Sequence, residues 1–145
     1  MTIGATEDFA RALRSSVSEL SLDQHVEIAN WVSDARLRQL YRGAIALVQP
    51  ASFEGFVGLQ QLEAMAQGTP LIVLDAVGVS EVLAGIALIL PTLDYRQLAA
   101  AMIDLYSDAK TRERLARGGR RFAAGFTWER SAQAFAECIG GFMAR

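Results

Sequence analysis

The sequence predicts an α/β fold, a Rossmann-like parallel sheet of about five strands flanked by helices and followed by three closing helices. Short apolar runs alternate with segments of helical periodicity over residues 1–91, which is typical of a parallel sheet wound between helices. Residues 92–145 contain only helical patterns. Since the chain has 145 residues, of which 52% are apolar and 21% charged, we expect a single domain spanning residues 1–145.

The first part of the chain is predicted to contain two strands and two helices. An apolar run at residues 1–5 predicts a strand, and Thr6 then caps a helix. Residues 26–29 predict the second strand. Ser33 caps the next helix, which Gly43 ends.

Three further apolar runs predict the inner strands of the sheet, because an uninterrupted apolar strand is typically covered on both faces. These runs lie at residues 44–48, 71–74 and 86–90. Between the first two we expect a loop at residues 49–57 and a helix at about 58–66 that stops at Gly68. A short helix or turn at residues 80–84 leads to the last strand.

The closing helices have recognisable start signals. Asp94 and Gln97 form a capping box before the first of them. The second is predicted at about residues 109–122, and the third begins at Thr127. Cys138 lies in the third helix, where we expect a packed thiol; as the only cysteine, it excludes an internal disulfide and a cysteine-based metal site.

Charge and composition argue against several classes of function. The formal net charge of −2 gives the chain no general attraction for nucleic acid. The arginines of residues 112–121 are interrupted by Glu113 and cover several helix faces, so we expect a solvated helix there. The sequence has neither a run of about 18 apolar residues nor a basic and apolar leader, so we expect a soluble cytoplasmic protein. It has no cluster of metal ligands, and we expect no metal or other cofactor.

Residues 49–57 form the candidate ligand-binding loop. The loop follows an apolar strand and leads into a helix, and ligands of open α/β sheets bind where such loops gather. Gly55 and Gly58 leave the backbone accessible, and the N–H groups at the helix start favour a phosphate. Glu54 and Glu63 offer carboxylates that accept hydrogen bonds from vicinal sugar hydroxyls. An ordinary glycine turn beside glutamates favoured by the helix dipole is the alternative.

One continuous motif runs through this loop and the helix after it. The motif reads Pro50-x-x-x-Glu54-Gly55-Phe56-Val57-Gly58-Leu59-x-x-Leu62-Glu63-Ala64-Met65-Ala66-x-Gly68-x-Pro70. It closely resembles the motif of the retaining group 1 (family 4) glycosyltransferases, which lies in the C-terminal, donor-binding domain of their GT-B fold. The resemblance extends in order through residues 30–44, 78–82 and 120–129 and so covers nearly the whole chain.

The resemblance implies a role for each residue of the motif. Glu54 corresponds to the catalytic position that contacts the transferred sugar, and Glu63 to the position that holds the nucleotide ribose. The residues implied to lie against the sugar and the phosphates are Gly55, Phe56, Gly58 and Leu59. The implied reaction is transfer of a hexose from a nucleotide diphosphate sugar (a UDP-, GDP- or ADP-sugar) to an acceptor hydroxyl, with retained configuration and no essential metal.

Departures from the family pattern leave an alternative open. Eight residues separate Glu54 from Glu63 where the family has seven, as if Val57 were inserted, and Gln60 replaces a proline. The family's Arg/Lys pair and its N-terminal acceptor domain have no counterpart in the sequence. We therefore expect a fragment that is active only with a missing N-terminal half. The alternative is a non-catalytic binding or scaffold module with a degenerate donor site.

Two further interactions are expected, and one other class of protein is disfavoured. A donor domain without its first strands would expose a sheet edge, which predicts self-association of the isolated chain. Because many family members act on membrane lipids, the resemblance also implies weak contact with the inner face of a membrane. A dinucleotide-binding dehydrogenase is disfavoured, since Gly4 follows the first predicted strand without a G-x-G-x-x-G motif.

Overall fold

The computed structural model describes residues 7–29, 31–51, 57–76 and 78–143. The chain divides into two compact units, residues 1–37 and 38–145. The strand predicted at residues 1–5 lies outside the described residues.

The first unit contains the helix α1 (Glu7–Glu19) and the start of α2 (Asp34–Gly43). The hydroxyl of Ser33 accepts a hydrogen bond from the N–H of Arg36 at 3.3 Å. This contact satisfies one of the N–H groups that every helix start leaves without an internal partner. The predicted cap of α2 is therefore confirmed.

The strand predicted at residues 26–29 is wrong. These residues have no regular secondary structure. The N–H of Val26 donates to the carbonyl of Leu22 at 3.0 Å, in the turn that follows α1, and the Val26 side chain is exposed. Short apolar runs form strands only where they find a pairing partner, and the described residues pair no strand with this run.

The second unit is built on a three-stranded parallel sheet with the order β1-β2-β3. The strands are β1 (Leu47–Gln49), β2 (Leu71–Leu74) and β3 (Leu88–Leu90). Leu47 pairs with Leu71, and Ile72 pairs with Leu88. Every residue of β2 is buried, as befits a central strand. The expectation of about five strands is therefore corrected to three in the part of the chain that the structure describes.

The strands predicted at residues 44–48 and 86–90 begin later than expected, because their first residues lie in turns that follow the preceding helices. The N–H of Ala44 donates to the carbonyl of Tyr41 at 3.1 Å, in the turn that ends α2. Similarly, the N–H of Ile86 donates to the carbonyl of Leu83 at 3.1 Å. Residues committed to these turns cannot join the sheet ladder, so β1 and β3 are short.

Helices connect the strands and then close the chain. The two crossover helices are α3 (Leu59–Gln67) and α4 (Val79–Leu83). The three closing helices are α5 (Tyr95–Ser107), α6 (Ala109–Ala123) and α7 (Trp128–Met143). The carboxylate of Asp94 caps α5 by accepting hydrogen bonds from the N–H groups of Arg96 (2.7 Å) and Gln97 (3.4 Å). The predicted α/β class and the three closing helices are confirmed.

The helix α3 is held against α6, which also contributes to the core. A buried cluster of the second unit consists of Ile72, Ala101, Leu105 and Leu115, contributed by β2, α5 and α6. Among the helices, α3 packs most extensively against α6. There Gly119 lies so close to Met65 that a Cβ at that position would be 3.0 Å from the Met65 Cγ. This packing fixes the helix that carries the candidate site.

The expectation of a packed thiol at Cys138 is wrong. Cys138 is exposed, and so are the other described side chains of α7, residues 128–141. They include Phe135, which is 69% exposed, and Ile139, which is 44% exposed. The apolar pattern predicted the helix correctly, but no described residue covers this face.

Candidate functional site

The start of α3 is an uncapped helix end. Gly58 is the N-cap residue, with extended backbone angles (φ −74°, ψ 161°), and no side chain bonds to the cap. The Gly58 carbonyl accepts hydrogen bonds from the N–H groups of Gln61 and Leu62, both at 3.1 Å. Among the described residues no side chain caps the positive end of the helix dipole, which favours an anionic group there.

The end of α3 is fixed by a left-handed glycine. Gly68 has φ +83°, a conformation that residues with a side chain rarely adopt. Its N–H donates to the carbonyl of Met65, and the N–H of Thr69 donates to that of Ala64, both at 2.9 Å. The chain then enters β2 after Pro70, so α3 is anchored at the sheet.

Glu63 lies on an exposed face of α3 and contacts Tyr41. The Tyr41 hydroxyl donates to Oε2 of Glu63 at 3.4 Å. Tyr41 itself is 8% exposed. Burial raises the pKa of Tyr41, and the nearby charge and hydrogen bond of Glu63 raise this pKa further, so the phenol remains a protonated donor at neutral pH.

Two more hydrogen bonds join the end of α2 to α3 and the residues after it. The Arg42 Nε donates to Oε1 of Gln67 at 2.7 Å. The hydroxyl of Thr69 donates to the carbonyl of Tyr41 at 2.6 Å, inside the protein. Because Glu63 and Gln67 are four residues apart, they lie on the same face of α3 and meet consecutive residues of α2.

The structure describes only the second half of the predicted donor site. Gly58 and Leu59 lie at the start of α3, and Glu63 follows one turn later on the same helix face as Leu59, which is 65% exposed. Glu54, Gly55 and Phe56 lie outside the described residues. Their predicted roles, and the proximity of the two glutamates, stay predictions.

Val57, the extra residue relative to the family motif, is part of the packed interior. Its side chain is 7% exposed, directly before the N-cap of α3. A buried valine contributes roughly 1.5–3 kcal/mol of burial free energy relative to an exposed one. We infer that the added residue has a packing role here, in contrast to a solvated bulge.

The buried face of α3 includes a polar residue. The buried residues of this helix are Gln61, Ala64 and Met65, whereas Leu59 is exposed. Gln61 is 4% exposed, and its Oε1 has no hydrogen-bond partner among the described residues. A buried glutamine would have been missed by any rule that assigns polar residues to the surface.

Two further concavities of the second unit are alternative candidate sites. An apolar groove of about 350 Å³ is lined by Ile45, Ala46, Val48, Met102, Ile103 and Tyr106. A shallow cavity of about 670 Å³ contains three arginines, Arg114, Arg117 and Arg121, and no carboxylate. Neither contains Gly58, Leu59 or Glu63.

The described residues form neither a metal-binding cluster nor a membrane-spanning helix. No group of three or more His, Cys, Asp or Glu side chains is arranged to hold a metal ion. Among the same residues, every helix is too short or too polar to cross a bilayer.

Comparison with known proteins identifies the family. A profile described as "Glycosyl transferases group 1" matches residues 3–122. The O-antigen chain mannosyltransferase RfbU of Salmonella typhimurium is 38% identical to this chain over 107 residues. That match covers 72% of this chain and 30% of the relative, so the chain spans less than a third of that protein.

Solved structures share the fold. Sucrose-phosphate synthase from Thermosynechococcus elongatus has a TM-score of 0.85 at 26% identity, covering 98% of this chain and 38% of its own. HepE of Anabaena, solved in complex with UDP-glucose, has a TM-score of 0.83 and covers 95% of this chain and 38% of its own. Because the sequence identity is 20%, the similarity to HepE concerns the fold alone. Since the family profile covers most of the chain, the chain belongs to the group 1 glycosyl transferases.

Proposed function

We propose that this chain is the donor-binding part of a retaining hexosyltransferase and binds a nucleotide diphosphate sugar. The observation that carries the proposal is the pairing of an uncapped helix start at Gly58 with an exposed carboxylate at Glu63 in a group 1 glycosyl transferase. The two features offer complementary chemistry, a positive helix end for the diphosphate and acceptors for sugar hydroxyls.

The geometry of α3 supports separate roles for the helix start at Gly58 and for the Glu63 carboxylate. Gly58 and Glu63 are five residues apart, which corresponds to about 7.5 Å along a helix axis. A diphosphate at the helix start and a ribose beside Glu63 therefore belong to one bound nucleotide. The carboxylate accepts hydrogen bonds from the vicinal ribose hydroxyls, while N–H groups hold the phosphates. In this proposal Glu54 contacts the transferred hexose.

We further propose that the chain works only as part of a longer glycosyltransferase. It covers 30% of the RfbU sequence and 38% of the HepE chain, and HepE was solved with UDP-glucose. The acceptor site and the cations that neutralise the diphosphate would then lie in the remainder of the enzyme. Residues 1–145 would belong to one donor domain, in the cytoplasm.

Calorimetric titration with UDP, GDP, ADP and their sugars tests this proposal. We expect one nucleotide series to bind, and we expect Glu63→Ala to abolish the binding heat. Glu113→Ala is the matched control. It also removes an exposed acid, but from α6 and not from α3, so it should leave binding unchanged. Equal heats for the wild type and Glu63→Ala would overturn the assignment of Glu63.

A further inference from the structure

We propose that Tyr41 is a positioning residue for Glu63 and that its hydroxyl sets the preference of the site for ribose over a sugar without 2′- and 3′-hydroxyls. The inference rests on the proposed function of Glu63 as the ribose ligand. It goes beyond that function by naming the group that orients the ligand. The contact that motivates it is the hydrogen bond from the Tyr41 hydroxyl to Oε2 of Glu63, at 3.4 Å.

Tyr41 is held far more firmly than Glu63. Its ring is buried and its main-chain carbonyl accepts the 2.6 Å hydrogen bond from the buried hydroxyl of Thr69. Glu63 is exposed, and a long side chain on a helix surface has several rotamers open to it. A fixed donor beside a mobile carboxylate restricts that carboxylate, which lowers the entropy that binding must remove.

The contact uses only one oxygen of the carboxylate. Tyr41 donates to Oε2, and no described residue donates a hydrogen bond to Oε1. An ionised carboxylate has about four lone-pair sites, so Oε1 and the second site on Oε2 can accept two further donors. Two vicinal hydroxyls supply that number, whereas a dideoxyribose supplies none.

The length of the bond suits this role. At 3.4 Å it is longer than the usual separation of about 2.7–2.8 Å between hydroxyl and carboxylate oxygens. Hydrogen bonds around a binding site are often long without ligand and shorten in the complex. The raised pKa of Tyr41 keeps the proton on the phenol, so the hydroxyl remains a donor throughout the neutral range.

A purely structural role for the hydroxyl is the competing explanation. Two other contacts already join the end of α2 to α3 and to the residues that follow α3. They are the contact of Arg42 with Gln67 and that of Thr69 with the Tyr41 carbonyl. Tyr41→Phe leaves both contacts in place and removes only the hydroxyl. Arg42→Met breaks a contact between the same two segments without touching Glu63, which makes it the matched control.

The test compares binding of the preferred nucleoside diphosphate and its 2′,3′-dideoxy analogue by the 145-residue chain. We expect Tyr41→Phe to weaken binding of the ribonucleotide by about three- to tenfold, a range typical of losing one hydrogen bond, and to leave the dideoxy analogue unchanged. Arg42→Met should keep the wild-type ratio of the two affinities. This inference would be overturned if Tyr41→Phe kept the wild-type ratio of the affinities for the ribonucleotide and the dideoxy analogue. If Glu63→Ala still abolished binding in that case, the proposed function would stand.

A measurement without ligand examines the contact itself. The ionisation of Tyr41 is followed by NMR in the wild type and in Glu63→Gln, an exposed substitution that should not impair folding. Because the charge of Glu63 raises the pKa of Tyr41, we expect this pKa to fall when the charge is removed. An unchanged Tyr41 pKa would refute the contact. If the wild type binds no nucleotide and Glu63→Ala changes nothing, the proposed function fails and this inference fails with it.

Discussion

The hydroxyl of Thr69 donates a 2.6 Å hydrogen bond to the main-chain carbonyl of Tyr41, and both residues are buried. The bond gives this carbonyl, at the end of α2, a second donor beside the N–H of Ala44. It also joins the residue that contacts Glu63 to the segment that leads into β2. Packing near the sheet thus determines where the Tyr41 hydroxyl lies.

Thr69→Val should destabilise the protein by about 0.5–1.5 kcal/mol, the usual net contribution of one hydrogen bond. The substitution keeps the shape of the side chain and removes one of two donors, because the N–H of Ala44 still donates to the Tyr41 carbonyl at 3.1 Å. Chemical denaturation with a linear extrapolation measures the change. Thr69→Ser retains the hydroxyl and should cost less. If Thr69→Val were as stable as the wild type, the bond would contribute nothing to folding.

Gly68→Ala should destabilise the protein by about 1–2 kcal/mol from backbone strain alone. Gly68 has φ +83°, and a Cβ there would overlap the guanidinium of Arg120, whose flexible end must then move. Gly43→Ala is the control, because Gly43 ends α2 without a positive φ and its Cβ would meet nothing within 4 Å. Thermal unfolding of the two variants separates strain from a general effect of adding a methyl group.

Gln61→Leu should stabilise the protein by up to about 1–3 kcal/mol, because it removes a buried oxygen for which no described residue is a partner. Gln60→Leu, on the exposed neighbouring position, should change stability by less than about 0.5 kcal/mol. The comparison uses denaturant unfolding of both variants. A destabilised Gln61→Leu would contradict this and show that the Gln61 amide stabilises the fold.

Asp108 should contribute a pH-dependent part of the stability of α6. The side-chain hydrogen bond from Thr111 (2.6 Å), and then the bond from its N–H (3.1 Å), lower the pKa of Asp108 below 3.8. A lowered folded-state pKa means that the contribution is present above pH 3.8 and is lost as the pH falls through the folded value. The wild type should therefore melt above Asp108→Asn at neutral pH, and the difference should vanish at strongly acidic pH. A difference that stays constant with pH would contradict this.

Helix ends were the most predictable part of the fold because their signals are local. Asp94 accepts hydrogen bonds from N–H groups two and three residues later, and Gly68 adopts the left-handed conformation within a few residues of the helix it ends. A side chain and a backbone that interact over so few residues can be read from the sequence. The cap at Asp94 and the stop at Gly68 are confirmed, but the reciprocal bond of the predicted capping box is not, because the N–H of Asp94 donates to the carbonyl of Thr92 at 3.0 Å.

Strand limits were less predictable because they depend on remote pairing. The residues before β1 are apolar, yet Ala44 is committed to the turn after α2 and β1 pairs with β2 only from Leu47 onward. Val26 lies in a similarly apolar run and forms no strand. Apolar character predicts burial or pairing, but only the positions of other elements decide which residues pair.

The candidate site shows the same limit. The motif identified Gly58 and Glu63, whereas Tyr41 precedes Glu63 by 22 residues and meets it only because the fold brings the end of α2 to α3. Nothing in the residue types singles out a tyrosine at that position as a partner for a carboxylate. Contacts of this kind become visible only in three dimensions.

The central claim is that the start of α3 and Glu63 hold one nucleotide, and amide chemical-shift mapping tests it most directly. On titration with the nucleoside diphosphate that binds best, we expect the largest changes at Gly58, Leu59 and Glu63. Changes concentrated at Arg114, Arg117 and Arg121 would mean that the anion binds in the arginine cavity instead. That result would contradict the proposed donor site.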